Sequence, residues 1–207
     1  MNKGADGVKV ARSPIQANRS GSFPTSALPL FAVKLERMPQ SPRDFRIVEI
    51  GLRLARDLNR HWHSLLPRTD LGNLRCGNTS VAYAAEFEDR YYAVAIFSQP
   101  IIRSVCDGHT IELRRLAICE QAPKNTASRM LGVMTRLIKA RWPFIDKLVS
   151  YQAVDVHAGT IYKAAGWRPV GEIVSARPQR FSGVNPKTRA TGPLQTKSRK
   201  LRWELNI

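Results

Sequence analysis

The sequence lacks the features of membrane, secreted and zinc-binding proteins. No stretch approaches the roughly 18 uncharged apolar residues of a membrane-spanning helix, and no apolar core and cleavage site follow the basic first residues. The three cysteines, Cys76, Cys106 and Cys119, are odd in number and too widely spaced for a zinc site. The sequence therefore predicts free thiols in the cytoplasm, a reducing compartment, with no metal site and no membrane association.

Acidic residues are also scarce. The 207 residues include 16 Asp and Glu against 33 Lys and Arg, which gives a net charge of +17. Residues 1–30 carry four basic and one acidic side chain, and residues 172–207 carry eight and two, so both ends of the chain are basic. This excess predicts a polyanionic partner, with nucleic acid the first choice. The alternative is a basic protein with solvated tails.

Two segments are predicted to lie outside the folded core. Residues 1–29 hold Gly, Ser, Pro, Asn and isolated basic residues without periodicity, which predicts a basic disordered N-terminal segment. A stretch rich in Pro, Arg, Lys, Ser and Thr at about 175–198 predicts a long basic loop. Residues 30–207 are predicted to form a single domain around this loop, because their number suffices for one hydrophobic core.

The domain is predicted to begin with a strand and a helix. Residues 31–35 have a strand pattern, and Ser41-Pro42 supplies the cap and first residue of a helix. The buried face of this helix is predicted to comprise Ile47, Ile50, Leu54 and Leu58. Another face would carry an arginine row, Arg46, Arg53 and Arg60. Phosphate contacts and a solvated surface are both open for this row.

From Val81 onwards, strand and helix patterns follow one another. The predicted strands cover residues 81–87, 91–97, 111–118, 147–151, 167–170 and 200–205. A helix is predicted over 125–141, and its apolar stripe comprises Met130, Leu131, Met134, Leu137 and Ile138. A shorter helix is predicted to end at Gly166. This order predicts an α/β fold in which helices cover a mixed sheet.

Two places in this pattern could carry chemistry. The step from strand to helix at 118–128 offers unpaired backbone N–H groups at a helix start, which suits a diphosphate. Lys124 adds positive charge there, and Ser128 adds a hydroxyl. Tyr162 lies one turn before the Gly166-Trp167 stop and is either a packed phenol or a proton donor.

An arginine pair interrupts an otherwise apolar strand. Alternation would place Arg114 on one face of the sheet and Arg115 on the other. At least one of them then needs an exposed surface or an anionic partner, for which Glu112 and Asp155 are candidates.

Three motifs together resemble a known superfamily. They are E-L-R-R-L at 112–116, N-T-A-S at 125–128, and the run from Ser150-Tyr151 to Y-K-A-A-G-W at 162–167. Their order resembles the GCN5-related N-acetyltransferase (GNAT) superfamily, and within it the Mom-type DNA modification proteins of bacteriophages. The resemblance covers about residues 60–172. It implies a mixed, mostly antiparallel central sheet flanked by helices.

The resemblance also implies an activity. GNAT proteins bind acetyl-coenzyme A with its diphosphate at a helix start, which here corresponds to Lys124, Asn125, Thr126, Ala127 and Ser128. The GNAT tyrosine that protonates the leaving thiolate corresponds to Tyr162, and residues important in the Mom branch correspond to Arg115 and Ser128. Mom-type proteins modify the exocyclic amine of adenine in double-stranded DNA. Lys124 and Thr126 replace the usual glycines, which leaves a related acyl donor open.

Other polar and aromatic residues are weaker candidates. Asp155 and His157, between a strand and a helix, could accept a proton from the attacking amine or hold the base; helix capping and an exposed histidine are the alternatives. His61 and His63 lack a third ligand at a known spacing, so no metal site is predicted. A base taken out of the DNA stack needs an aromatic contact. The candidates are Trp62, Tyr83, Tyr151 and Trp167.

Two other functions remain open at this point. One is an N-acetyltransferase for a small amine or a protein. The other is a DNA-binding protein that keeps the GNAT scaffold without catalysis.

Overall fold

Eight strands and three helices make up the described part of the chain. The structure is a computed structural model, and it describes residues 13–16, 37–63, 79–155, 157–174 and 199–207. The strands are β1 Ile15–Gln16, β2 Arg46–Ile50, β3 Val81–Phe87, β4 Arg90–Ser98, β5 Thr110–Ile118, β6 Lys147–Ala153, β7 Arg168–Val174 and β8 Arg199–Asn206. The helices are α1 Leu52–Trp62, α2 Thr126–Arg141 and α3 Thr160–Ala164.

The strands form one mostly antiparallel sheet. Its order is β2-β3-β4-β5-β6-β8-β7, and β1 pairs with β4. Among the described strands, β5 and β6 are the one parallel pair, and α2 connects them. Parallel neighbours require such a crossover, whereas the β3–β4 hairpin needs only the turn at Glu88-Asp89, where both residues have positive φ.

The predicted helix that starts at Ser41-Pro42 is wrong over most of its length. Ser41 does cap a helical turn, but this is a short 3-10 turn over Pro42–Asp44. The chain then forms β2, which pairs with β3, and α1 begins only after Gly51. Apolar residues at 47 and 50 fit a half-buried strand as well as a helix, and pairing with β3 decides between them.

This correction also removes the arginine row. Arg46 lies on β2, where its Nη2 is 2.7 Å from Glu86 Oε1. Arg53 and Arg60 lie on α1. The three side chains therefore do not share one helix face.

The later predicted elements are confirmed. The hairpin, β5, α2, β6, the turn of helix before Gly166 and the closing strand all form close to their predicted positions. Four of the five predicted α2 core residues are buried, and Leu137 is 37% exposed. The strand predicted at 31–35 and the loop at 175–198 lie outside the described residues, and the segment 1–29 contains strand β1.

The two faces of the sheet differ where β5 meets β6. Leu113 and Ser150 are register partners and point to the side on which α2 and α3 pack, called here the tyrosine face because Tyr162 contacts Ser150. Glu112 and its neighbour across the strands, Val149, point to the opposite side. This side is called here the arginine face, because Arg114 and Arg115 lie on it. None of the helices in the described ranges is long and apolar enough to cross a membrane.

Candidate active site

The strands β5 and β6 separate after a short paired region. Residues 110–113 pair with 147–150, but β5 continues to Ile118 and β6 to Ala153. Beyond the paired region, β5 bonds to β4 and β6 bonds to β8. The edges that face each other therefore present backbone N–H and C=O groups without a ladder partner on that side. This split is the place where an extended ligand can bond to both strands.

The hydroxyl of Tyr162 lies at the apex of the split. It is 2.9 Å from Oγ of Ser150, the last residue of β6 that pairs with β5. Ser150 Oγ donates to the carbonyl of Leu113 at 3.3 Å. Since a serine hydroxyl has one proton, this bond makes Tyr162 the donor towards Ser150.

The ring of Tyr162 is held between two tryptophans. It stacks on Trp203 at 5.3 Å between centroids and 16° between planes, and it meets Trp167 edge-on at 5.6 Å. The side chain is only 8% exposed. Burial raises the pKa of Tyr162, and the bond to Ser150 opposes this to a smaller extent. The phenol is therefore protonated at neutral pH, as a proton donor must be.

A buried polar network fixes this aromatic stack. Trp203 Nε1 donates to Gln152 Oε1 at 2.7 Å, and Gln152 Nε2 donates to the carbonyl of His157. Gly159 lies against this network with φ of 71°, and a Cβ there would be 2.6 Å from Trp203 Cζ2. Glycine is thus required before α3 for both its backbone angle and its lack of a side chain.

The start of α2, which was predicted to bind a diphosphate, has some of its backbone N–H groups engaged and others free within the described part of the chain. Asn125 occupies the cap position with φ of 66° and gives no side-chain cap. The N–H and Oγ1 of Thr126 both donate to the carbonyl of Pro123, so they are already engaged. Ser128 Oγ donates to Asn125 O at 3.1 Å.

The backbone N–H groups of Ala127 and Ser128 have no acceptor among the described residues. Lys124 is exposed beside them. Two free N–H groups, a helix dipole and a lysine fit a diphosphate, although the chain lacks the glycines that let a backbone approach more closely.

A groove of about 490 Å³ continues from this helix start along α2. Three arginines line it, Arg43, Arg129 and Arg136, and Ala164 of α3 lies at its edge. Arg129 Nε donates to the carbonyl of Pro42 at 2.9 Å and so fixes the 3-10 turn against α2. The groove therefore extends the positive charge that begins at Lys124.

Asp155 and His157, which were also predicted to be catalytic, form no hydrogen bond to the Tyr162 phenol. Asp155 and His157 are exposed in the β6–α3 loop, and neither side chain forms a hydrogen bond to the described residues. His157 acts through its backbone, which bonds to Ala153 and Gln152. Glu172 raises the pKa of the Arg199 guanidinium, and Asp155 adds a smaller effect in the same direction. Their catalytic roles stay predictions.

The arginine pair lies on a single face because β5 has a bulge. Arg115 pairs with Ile96 and Leu113 with Phe97, so Arg114 is the extra residue. The prediction of one arginine on each face is wrong for this reason. Both lie on the arginine face, where Arg114 Nε is 3.5 Å from Glu112 Oε1.

This charged cluster is buried. Glu112 Oε2 accepts from the N–H of Ile101 at 3.1 Å, and burial still raises the pKa of Glu112 against the opposing effect of Arg114. Burial, and then Arg114, lower the pKa of Arg115. Arg115 Nη1 donates to the carbonyl of Arg114 at 2.7 Å.

The weaker candidates are also placed. His61 is exposed at the end of α1, and no cluster of metal-ligating side chains exists among the described residues. Of the four candidate aromatics, three are core residues with at most 3% exposure: Trp62, Tyr83 and Trp167. Tyr151 is the partly exposed one, and it lies on β6 at the split.

Sequence reasoning missed three residues of the site: Ser150, Gln152 and Trp203. Ser150 was part of a motif but without a role, and no local pattern distinguishes Gln152 from any polar strand residue. Trp203 is 51 residues from Gln152 along the chain.

Comparison with known sequences identifies a family match. The profile of the Mom protein family matches residues 91–204, which is more than half of the chain. This span includes nearly all of β4, most of β8 and everything between them, including the start of α2 and Tyr162. It confirms the resemblance that the motifs indicate. No curated protein sequence matches the chain.

Comparison with solved structures confirms the GNAT fold. A Bacillus subtilis acetyltransferase in complex with CoA matches with a TM-score of 0.53 at 14% identity, covering 79% of this chain and 99% of that one. A Streptococcus pneumoniae acetyltransferase of the GNAT family has a TM-score of 0.53 at 11% identity, with coverage of 79% and 99%. The Escherichia coli ribosomal-protein-S18-alanine N-acetyltransferase has a TM-score of 0.53 at 12% identity, with coverage of 79% and 94%.

Proposed function

Because the chain belongs to the Mom protein family and has the GNAT fold, we propose that it transfers an acyl group from an acyl-coenzyme A to the exocyclic amine of adenine in DNA. One observation carries the proposal. The protonated phenol of Tyr162 lies at the apex of the β5–β6 split, on the face where α2 begins with free N–H groups.

The donor would lie along the tyrosine face. Its diphosphate would accept from the N–H groups of Ala127 and Ser128 near Lys124, and its nucleotide end would follow the groove past Arg43 and Arg136. The amide-containing arm would bond to the unpaired edges of the split. The solved Bacillus subtilis acetyltransferase is itself a complex with CoA, which supports this class of donor.

The transfer needs few protein groups. The amine nitrogen attacks the thioester carbonyl carbon, the C–N bond forms, the C–S bond breaks, and the nitrogen releases a proton to solvent. The thiolate that leaves takes the proton of Tyr162, and the resulting phenolate regains a proton from solvent, so that no net proton is gained or lost. Ser150, hydrogen-bonded to that phenol, holds it at the apex. General acid catalysis of this kind contributes about 10²- to 10⁴-fold.

Charge supports a DNA acceptor. The chain carries a net charge of +17, which favours binding to phosphates in a salt-dependent way. The adenine would have to leave the stack to expose its amine. With the donor on the tyrosine face, the acceptor would reach the split from the arginine face.

Nucleoside analysis tests this proposal. DNA from cells that express the wild-type chain should contain a new adenine species by mass spectrometry, and Tyr162→Phe should lower its amount by roughly 100-fold or more. Tyr83→Phe is the matched control, because its hydroxyl belongs to a buried phenol near Glu49 and Arg141, away from the split.

Other outcomes would support the rival functions. Unmodified DNA with wild type and Tyr162→Phe alike, together with salt-dependent duplex binding by both, would support a non-catalytic DNA-binding protein. Acetyl-CoA turnover on polyamines or peptides without any change in DNA would support a small-amine or protein acetyltransferase.

A further inference from the structure

Two polar atoms at the split are buried without a hydrogen-bond partner among the described residues. They are the hydroxyl of Tyr151 and Nε of Arg115. A buried polar atom that lacks a partner costs about 1–3 kcal/mol, so such atoms call for an explanation. Burial raises the pKa of Tyr151, and the nearby Arg202 guanidinium, itself paired with Glu204, opposes this to a smaller extent.

Register places both side chains beside the opening. Tyr151 follows Ser150, the last paired residue of β6, and Arg115 lies two residues beyond Leu113, the last paired residue of β5. Both point to the arginine face, since Tyr151 pairs with Arg202 and Arg115 pairs with Ile96. Glu112 acts electrostatically on both, which agrees with their closeness.

The Tyr151 ring is one residue from the serine that binds the Tyr162 hydroxyl, but on the opposite face. A group that enters from the arginine face and reaches the apex must therefore pass this ring. Trp62, Tyr83 and Trp167 are buried in the core, so Tyr151 is the one of the four candidate aromatics in a position to stack on a ligand.

We propose that Tyr151 and Arg115 form the acceptor subsite, in which a planar amino-purine ring stacks on the Tyr151 ring and accepts a hydrogen bond from Arg115 Nε. A ring nitrogen of such a ligand is a hydrogen-bond acceptor, which is what Arg115 Nε lacks among the described residues. The arrangement also aims the exocyclic amine at the apex. This inference rests on the proposed function, because it assigns the acceptor side of the same reaction.

The test uses the full chain and a duplex oligonucleotide with one unpaired adenine opposite an abasic site, because an unpaired base costs less to extrude. With acetyl-CoA as donor, Tyr151→Ala should raise the KM for this duplex roughly tenfold or more and leave the KM for acetyl-CoA unchanged. Tyr151→Phe keeps the stacking ring and should leave the duplex KM within about twofold of the wild-type value. Tyr83→Phe should match wild type.

A second readout does not depend on turnover. With 2-aminopurine in place of the unpaired adenine, wild type and Tyr151→Phe should quench its fluorescence by stacking, whereas Tyr151→Ala should not. Equal quenching by all variants, or a duplex KM for Tyr151→Ala equal to that of Tyr83→Phe, would overturn the subsite and leave the proposed function standing. A wild type that quenches but transfers nothing to adenine would support the subsite and sink the proposed reaction.

Discussion

The two faces of the sheet meet at the same split but use different chemistry. On the tyrosine face the polar groups are neutral: Tyr162 is paired with Ser150 and Trp203 with Gln152, and Trp167 Nε1 alone of this aromatic group has no partner among the described residues. On the arginine face, Glu112 and Arg114 are charged side chains with 8% exposure, and Arg115 Nε has no partner among the described residues. The neutral network holds one phenol in one position. A charged, incompletely satisfied cluster leaves bonds for a ligand.

The largest expected loss of stability comes from a substitution that disrupts the packing of the tyrosine face. Gly159→Ala should lower the free energy of unfolding by about 3 kcal/mol, because a Cβ would overlap Trp203 and the positive φ is strained for alanine. Chemical denaturation measures this. Gly132→Ala is the control: nothing lies within 4 Å of its Cβ, and helix propensity should stabilise α2 by about 0.5–1 kcal/mol. Equal effects at both sites would refute the close packing at Gly159.

A smaller loss of stability is expected when the two hydrogen bonds of Gln152 on the tyrosine face are removed. Gln152→Leu removes the partners of Trp203 Nε1 and the His157 carbonyl, so unfolding should become easier by about 2 kcal/mol. Gln121→Leu is a matched control, since Gln121 Oε1 is buried without a partner. Thermal denaturation of both variants gives the comparison, and a loss no larger for Gln152 than for Gln121 would contradict it.

The contribution of the arginine face to the free energy of unfolding should fall as pH rises. Burial raises the pKa of Glu112 above its ordinary value of 4.5, so its contribution to stability is full below that value and is lost as pH rises through the folded pKa. Glu112→Gln does not titrate. Unfolding free energies from about pH 4 to pH 7 should therefore move in favour of the variant as pH rises. Movement in favour of wild type would mean that pairing with Arg114 outweighs burial.

The smallest expected change in stability comes from an exposed ion pair outside the site, which serves as a reference. Arg46 and Glu86 form an ion pair in which Arg46 is 64% exposed. Arg46→Gln should change the free energy of unfolding by less than about 1 kcal/mol, because solvent screens exposed pairs. A larger loss in denaturant titrations would show that solvent exposure does not make this pair contribute less to stability than the buried Glu112–Arg114 pair.

Much of the fold was predictable where the pattern is local. The hairpin, β5, α2 and β6 each carry a periodicity that only one element type fits. The helix predicted over residues 42–60 was wrong in its first part, because the spacing of Ile47 and Ile50 fits both a helix and a half-buried strand. Pairing with β3 decides for the strand. The bulge at Arg114 likewise depends on the register with β4, which no single strand contains.

The candidate site shows the same division between local and distant signals. The positions of Tyr162 and of the α2 start could be predicted because each belongs to a short motif, whereas their catalytic and donor-binding roles stay predictions. The partners that position the phenol come from β6 and β8, distant in sequence, so only the folded chain brings Ser150 and Trp203 to it.

A crystal structure of the full chain with CoA tests the central claim most directly. The account predicts the diphosphate on the N–H groups of Ala127 and Ser128, the arm of the ligand between β5 and β6, and the sulfur beside the Tyr162 hydroxyl. CoA bound away from the split, or a β5–β6 gap filled by side chains with CoA present at saturation, would contradict it.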